Sequence, residues 1–249
     1  MSFIKKITIK GHKLRLFLFL ILIPCFVLAE IGTEDYRKYH STKSKFKLEK
    51  SAQGLNYPWA LTFIDKVNVL ITEKDGGLYK VNVLTGGKEK IKHEIAHIGY
   101  DGSGQGGLLD VYFYPPDDYV YFTYSHKSSK LTRSKQISKK SSTAIARGRL
   151  IENEIKDFEI LLIAKPEFLE NRHYGSRIAI KGDDLFASFG ERGQGMISQD
   201  STKHPGSIVR IKTNGEIPKD NPRFKGKKDW LPEIYVIGVR NPQGITISP

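Results

Sequence analysis

The chain has 249 residues, a formal net charge of +13, 39% hydrophobic residues and 11% aromatic residues. That composition supports one sizeable core and excludes wholesale disorder. The single cysteine, Cys25, excludes disulfide scaffolding, thiolate metal sites and cysteine nucleophiles from everything after residue 29.

Residues 1–29 read as a secretory signal peptide. A basic stretch leads into the apolar run Leu14 to Ile23, and Val27-Leu28-Ala29 offers small residues for cleavage before Glu30. The run is short for a membrane span, so the expected location is periplasmic or secreted, with no membrane contact beyond the signal. Lys5, Lys6, Lys10, Lys13 and Arg15 carry five of the positive charges and leave +8 without them. The remaining lysines are dispersed and form no nucleic-acid module, so no nucleic-acid partner is expected. Residues 30–45 are polar and lysine-rich, without an apolar period, and read as a linker.

From residue 46 onward the pattern is β. Leu61 and Phe63 pair across Asp65-Lys66 with Val67, Val69 and Ile71; Gly76-Gly77 and Thr85-Gly86-Gly87 then turn the chain around Leu78 to Val83. This predicts a four-stranded antiparallel meander. The theme recurs in Leu109–Phe113, Tyr119–Tyr124, Thr143–Leu150 and Asp157–Leu162, and again in 177–189 with 206–211. A fourth instance is read from Glu233–Ile237 and Gly244–Ile247. Starts near Leu61, Leu109, Arg177 and Gly244 make a repeat of roughly 50 to 70 residues, and repeated four-stranded sheets with short turns predict a β-propeller. Lys127 to Lys140 holds six basic residues and no acid, and reads as a solvated insertion in the second blade.

Three segments carry candidate chemistry. In Asn171 to Gly195, two period-2 runs flank Gly182-Asp183-Asp184 and predict a β-hairpin. Its outer ends carry His173 and Glu191, which a hairpin brings to the same end of the sheet. A carboxylate beside an imidazole fixes its tautomer and favours proton uptake, as a general base requires; a loop histidine beside a solvated salt bridge is the plainer reading of the same spacing. Gly102 to Gly107 is glycine-rich, but a strand follows it where a phosphate loop needs a helix. Its glycines predict a tight backbone at the mouth of a blade, with the Gln105 amide directed into a pocket. In Gly238 to Gly244, Pro242 holds Asn241 out of the α region and presents Arg240, which can stabilise an oxyanion or bind a carboxylate.

The ordered series Tyr57-Pro58-Trp59-Ala60-Leu61, Gly104-Gln105-Gly106-Gly107-Leu108-Leu109-Asp110, His173-Tyr174-Gly175-Ser176-Arg177, Gly190-Glu191-Arg192-Gly193, Gly215 to Pro222 and Arg240-Asn241-Pro242-Gln243-Gly244 resembles the glucose/sorbosone dehydrogenase family. The likeness runs from about Phe46 to the last residue. It implies an all-β, six-bladed β-propeller of the quinoprotein glucose dehydrogenase type, of which residues 46–249 would be about three and a half blades. It also implies an exported enzyme that oxidises the anomeric hydroxyl of aldose sugars by hydride transfer to pyrroloquinoline quinone, with calcium and an external electron acceptor. By position, His173 matches the family's general base and Glu191 an acidic position bonded to it. Gln105 and Arg240 match groups around substrate and quinone, and Asn241 matches a cofactor contact. The family's calcium-binding loop and later basic quinone-binding residues would fall beyond Pro249, so no metal ligand is expected here, and residues 30–249 alone are expected not to oxidise aldoses. The alternative is a non-catalytic carbohydrate- or protein-binding propeller.

Overall fold

The computed structural model describes residues 38–40, 45–100, 102–128, 130, 139–223, 226 and 229–248. The signal-peptide reading of 1–29 and most of the basic insertion after Lys127 lie outside the described residues. Two units are present, residues 1–50 and 51–249. In the first, β1 (Lys38–His40) pairs antiparallel with β2 (Lys45–Lys47), so a short hairpin crosses the interval read as linker.

The second unit is built from three four-stranded antiparallel sheets, each laid down in chain order. The first holds β3 (Pro58–Phe63), β4 (Asn68–Glu73), β5 (Leu78–Asn82) and β6 (Lys88–Lys90). The second holds β7 (Leu108–Tyr114), β8 (Tyr119–Lys127), β9 (Ser141–Ile151) and β10 (Glu154–Ile163). The third holds β11 (Gly175–Lys181), β12 (Asp184–Phe189), β13 (Ser207–Lys212) and β14 (Ile234–Ile237). A 3-10 helix, Gly195–Gln199, is the one helical element among the described residues, and no described helix is long and apolar enough to cross a membrane.

Local chemistry explains the tight turns. The Asp65 carboxylate accepts from the backbone N–H of Val67 and Asn68, each at 2.8 Å, and closes the β3–β4 turn. Between β11 and β12 the loop is two residues, Gly182 and Asp183, flanked by the paired Lys181 and Asp184. Gly182 at φ 60° supplies the positive φ that the twist of a two-residue hairpin demands.

Stacking follows from two-sided burial of the middle sheet. On β8, Val120, Phe122 and Tyr124 pack with Leu70 and Leu78 of the first sheet. Tyr121 faces the other way and, with Ile145, packs against Ile178, Leu185, Phe189 and Val209 of the third. Each fully buried large apolar side chain of this kind contributes about 1.5–3 kcal/mol. The first strands lie side by side, β3 against β7 and β7 against β11.

A polar relay repeats at each step between sheets. The Ala60 N–H donates to Thr72 Oγ1 (3.2 Å), which donates to Leu109 O (2.6 Å). The Asp110 N–H donates to Thr123 Oγ1 (3.1 Å), which donates to Ser176 O (2.5 Å). The Arg177 N–H donates to Ser188 Oγ (3.0 Å), which donates to Pro242 O (2.9 Å). Each inner strand bulges at this point, freeing the N–H for a buried hydroxyl on the second strand.

The relay also sorts out the fourth repeat. The sequence pattern places Ile234–Ile237 at its start, but β14 pairs with β13 in the register Ser207↔Ile237 and Ile208↔Val236 and so completes the third sheet. Residues 241–248 form no strand here, yet Pro242 takes the same inter-sheet hydrogen bond as Leu109 and Ser176.

Candidate active site

The residues before each inner strand and after each second strand share one end of the sheets, because Gly175 at the start of β11 pairs with Phe189 at the end of β12. His173 and Glu191 therefore meet. His173 Nδ1 is hydrogen-bonded to Glu191 Oε1, and the carboxylate's other oxygen, Oε2, accepts the Gly195 N–H at 2.9 Å. Glu191 is 3% exposed. Burial pushes its carboxyl up, but the hydrogen bonds from His173 and from the Gly195 and Gln194 N–H groups outweigh it and hold Glu191 below its ordinary range. An ionised carboxylate only accepts, so Nδ1 carries the proton of the neutral ring and Nε2 keeps the lone pair.

The backbone around His173 is forced into an uncommon shape. His173 sits at φ 54°, in the left-handed region, and is held there from three sides. Its N–H donates to Gln105 Oε1 at 2.7 Å, its carbonyl accepts the Arg192 N–H at 3.3 Å, and its ring is held by Glu191. Gly190 lies beneath it: a Cβ there would come within 2.0 Å of His173 O and 2.9 Å of Asn241 Oδ1. Only glycine fits.

The glycine-rich loop before β7 is latched to the same segment. Gln105 N donates to Asn171 O (2.9 Å), Gly106 N to Asn171 Oδ1 (3.2 Å), and Asn171 Nδ2 to Ser103 O (3.0 Å). The glycine pattern alone leaves the Gln105 amide free to enter a pocket. Its oxygen instead accepts the N–H of His173, whose left-handed backbone pairs it with no strand partner of its own sheet.

The remaining predicted residues divide between the mouth and the frame. Arg240 is 82% exposed in its side chain, with Nε 3.9 Å from Glu191 Oε1, while its carbonyl accepts the Glu191 N–H at 2.7 Å. Asn241 Oδ1 accepts the Gly175 N–H at 2.9 Å and ties the 238–244 segment to the start of β11. Arg172 is also exposed, its guanidinium lying against Gly193. Beside the site is a cavity of about 240 Å³ lined by Tyr100, Lys127, Lys139, Ser141, Asn171 and Tyr174. A larger hollow of about 620 Å³ near Trp230 is lined by none of the predicted site residues. Among the described residues, no three His, Cys, Asp or Glu side chains gather to hold a metal ion.

Sequence reasoning assigns no role to Asp110, Arg177 or Arg192, although each lies within a quoted motif. Arg177 Nη1 meets Asp110 Oδ1 at 2.8 Å, its Nε donates to Gln243 O at 3.1 Å, and its guanidinium lies 4.6 Å from the centre of the Trp59 ring. The clustering of these residues in motifs was the available signal; their contacts across sheets were not.

Comparison with known proteins agrees with this architecture. The family described as "Glucose / Sorbosone dehydrogenase" matches residues 55–249. The aldose sugar dehydrogenase of Escherichia coli is 33% identical over 205 residues, which is 78% of this chain and 51% of that protein. Quinoprotein glucose dehydrogenase B of Acinetobacter calcoaceticus is 24% identical over 254 residues, 92% of this chain and 51% of that protein. Among solved structures, the soluble aldose sugar dehydrogenase of Escherichia coli in its apo form superposes with a TM-score of 0.69 at 32% identity, covering 81% of this chain and 56% of that one. The aldose sugar dehydrogenase of Streptomyces coelicolor in its PQQ-bound form gives 0.61 at 27% identity, covering 78% and 54%. The chain thus spans about half the length of the curated relatives it matches. Its all-β fold is that of the propeller-type glucose dehydrogenases, and the chain belongs to the glucose/sorbosone dehydrogenase family.

Proposed function

We propose that this chain carries the base-bearing part of an exported aldose dehydrogenase that oxidises the anomeric hydroxyl of a sugar and passes the electrons through pyrroloquinoline quinone to an external acceptor. The observation that carries the reading is the hydrogen bond from His173 Nδ1 to the buried Glu191 carboxylate. It supports an imidazole with a lone pair on Nε2 and an anion beneath it to stabilise the imidazolium.

The donor set suits the quinone. Arg240 and Arg172 are exposed cations flanking His173, and the Gln105 amide nitrogen is left over once its oxygen is used. These are the partners that the carboxylate and carbonyl oxygens of pyrroloquinoline quinone require, so Arg240, Gln105 and Arg172 would hold it at the mouth beside His173. When bound, the quinone supplies the acceptor for the hydride from the anomeric carbon. His173 Nε2 takes the proton of the anomeric hydroxyl, and Glu191 Oε1 keeps the ring's other proton on Nδ1 and offsets the charge that develops. Asn241 acts on the frame through Gly175 N. Calcium is different: the described residues offer no cluster that fits it, and no step is routed through it.

Export is proposed from the three-part pattern of residues 1–29. N-terminal sequencing of mature protein should begin at or near Glu30; an intact Met1 on the active protein would remove this part. For the chemistry, dye-linked aldose oxidation by the full-length protein with added quinone and calcium is the direct test. Turnover that depends on quinone and on His173 is expected, and quinone binding without any aldose oxidation would leave a binding propeller in its place.

A further inference from the structure

Arg192 is 2% exposed and is among the largest fully buried side chains of the described residues. An arginine so buried normally faces a carboxylate. Among the described residues none forms an ion pair with it. Its donors go instead to backbone oxygens of the segment that leads into His173. Nε donates to Arg172 O at 2.9 Å, Nη2 to Glu170 O, and Nη1 to Ser141 O at 2.7 Å, at the start of β9. Nη2 also lies 3.4 Å from Ser141 Oγ. The guanidinium carbon stands 3.7 Å over the Tyr174 ring, whose hydroxyl is bonded to Ser141 Oγ at 2.8 Å. Finally, the Arg192 N–H donates to His173 O at 3.3 Å, from a backbone that is itself left-handed at φ 57°.

From this arrangement we infer that Arg192 is the positioning residue that holds His173 in its left-handed turn, by clamping residues 170–173 to the second sheet from the position next to Glu191. The inference rests on the reading of His173 as the base and adds the device that keeps it in place. A planar fork can reach the carbonyls of residues 141, 170 and 172 together, whereas an ammonium is a point donor and cannot. Its hydrogen bonds go to neutral oxygens, so the geometry of the fork decides which of them it reaches together. Without the clamp, Glu170 O and Arg172 O lose their described link to the second sheet, and the strained turn at His173 is left with the Gln105 Oε1 and Arg192 N–H bonds to its backbone, which loosens it. His173 Nδ1 would then leave Glu191.

The test uses the full chain labelled with ¹⁵N-histidine and, separately, ¹⁵N-arginine. In the wild type, His173 should be a single tautomer protonated at Nδ1, with a low-field proton. Arg192→Lys and Arg192→Met should broaden or remove that proton signal and speed amide exchange at residues 171–175 by about tenfold, while exchange within β8 is unchanged. A merely structural role would move β8 as well. Retention of the Nδ1 signal in both folded variants would overturn the inference. The wild type decides the matter if neither variant folds: Arg192 guanidinium protons exchanging as fast as those of exposed Arg240 would overturn it, and slow, separately resolved protons would support it. Because the readout is spectroscopic, failure of aldose oxidation would count against the proposed function and leave the positioning role of Arg192 standing.

Discussion

Asp110 and Arg177 join the second and third sheets through one buried carboxylate. Oδ1 takes Arg177 Nη1 at 2.8 Å, and Oδ2 takes the Ile178 N–H at 2.7 Å. The same guanidinium reaches Gln243 O and lies over Trp59. Four motif segments, spread over 185 positions from Trp59 to Gln243, therefore meet at one side chain. They form the frame on which His173 and Glu191 are mounted.

Burial pushes the Asp110 carboxyl up to about 6, against the pull of Arg177 and of the Ile178 and Val111 N–H groups. An ordinary aspartate titrates near 3.8. Between those values the folded state binds more protons than the unfolded one, so stability falls as pH rises through that window. The contribution is complete below about pH 4 and gone above about pH 6, amounting to about 3 kcal/mol at most. Urea unfolding of wild type and Asp110→Asn between pH 4 and 7 should show the difference between the two changing in that sense. Parallel stability curves would contradict it.

The relay makes a second stability prediction. Thr123→Val keeps shape but leaves the Asp110 N–H and Ser176 O unpaired in a buried setting. A loss of about 1–3 kcal/mol is expected. Thr72→Val and Ser188→Ala should fall in the same range, since each removes the equivalent link. Lys212→Met, which removes the cation paired with Asp183 and Asp184 at the sheet surface, should cost less than any of these three. Chemical denaturation ranks the four variants.

For turnover, His173→Gln in the full-length, quinone-loaded protein should lower kcat by about 10²- to 10⁴-fold with quinone binding retained. Glu191→Gln should lower it by about 10²-fold or more, because a neutral amide neither enforces the Nδ1–H tautomer nor stabilises an imidazolium. Steady-state kinetics across pH reports both. Near-normal kcat in His173→Gln would mean that another group takes the proton.

Gly190→Ala should disable the site without substituting any side chain proposed to face the ligand. The added methyl would meet His173 O at 2.0 Å and must displace the turn. Loss of about 2 kcal/mol or more of stability and of the His173 Nδ1–H signal is expected. Gly182→Ala serves as the comparison: its Cβ meets nothing within 4 Å, so only its positive φ is penalised and the His173 signal should persist.

Much of the architecture can be read from local pattern, and the exceptions are instructive. The β11–β12 hairpin is legible because alternation around Gly182-Asp183 is a property of neighbouring residues. β14 reads as the start of a repeat because it is only four residues long and its partner β13 ends 22 positions earlier, with no tight turn to announce the pairing. Gln105 reads as open to a pocket because nothing nearby in the chain occupies its amide; its partner, His173 N, is 68 positions away.

The sequence by itself determined most strands of the three sheets, the β11–β12 turn and the placing of His173 and Glu191 at one end of a hairpin, since these depend on period-2 alternation and on glycines or aspartates at fixed offsets. Tertiary structure alone decided that Arg192 is buried against carbonyls, that Asp110 reaches Arg177, and that buried hydroxyls on second strands link each sheet to the next. Those contacts join residues 20 to 67 positions apart, most of them from one sheet or its loops to the next. They arise when apolar faces stack and force polar groups between them to find partners. Residue type states what such a group can bond to, while only the stacking states which group comes within reach.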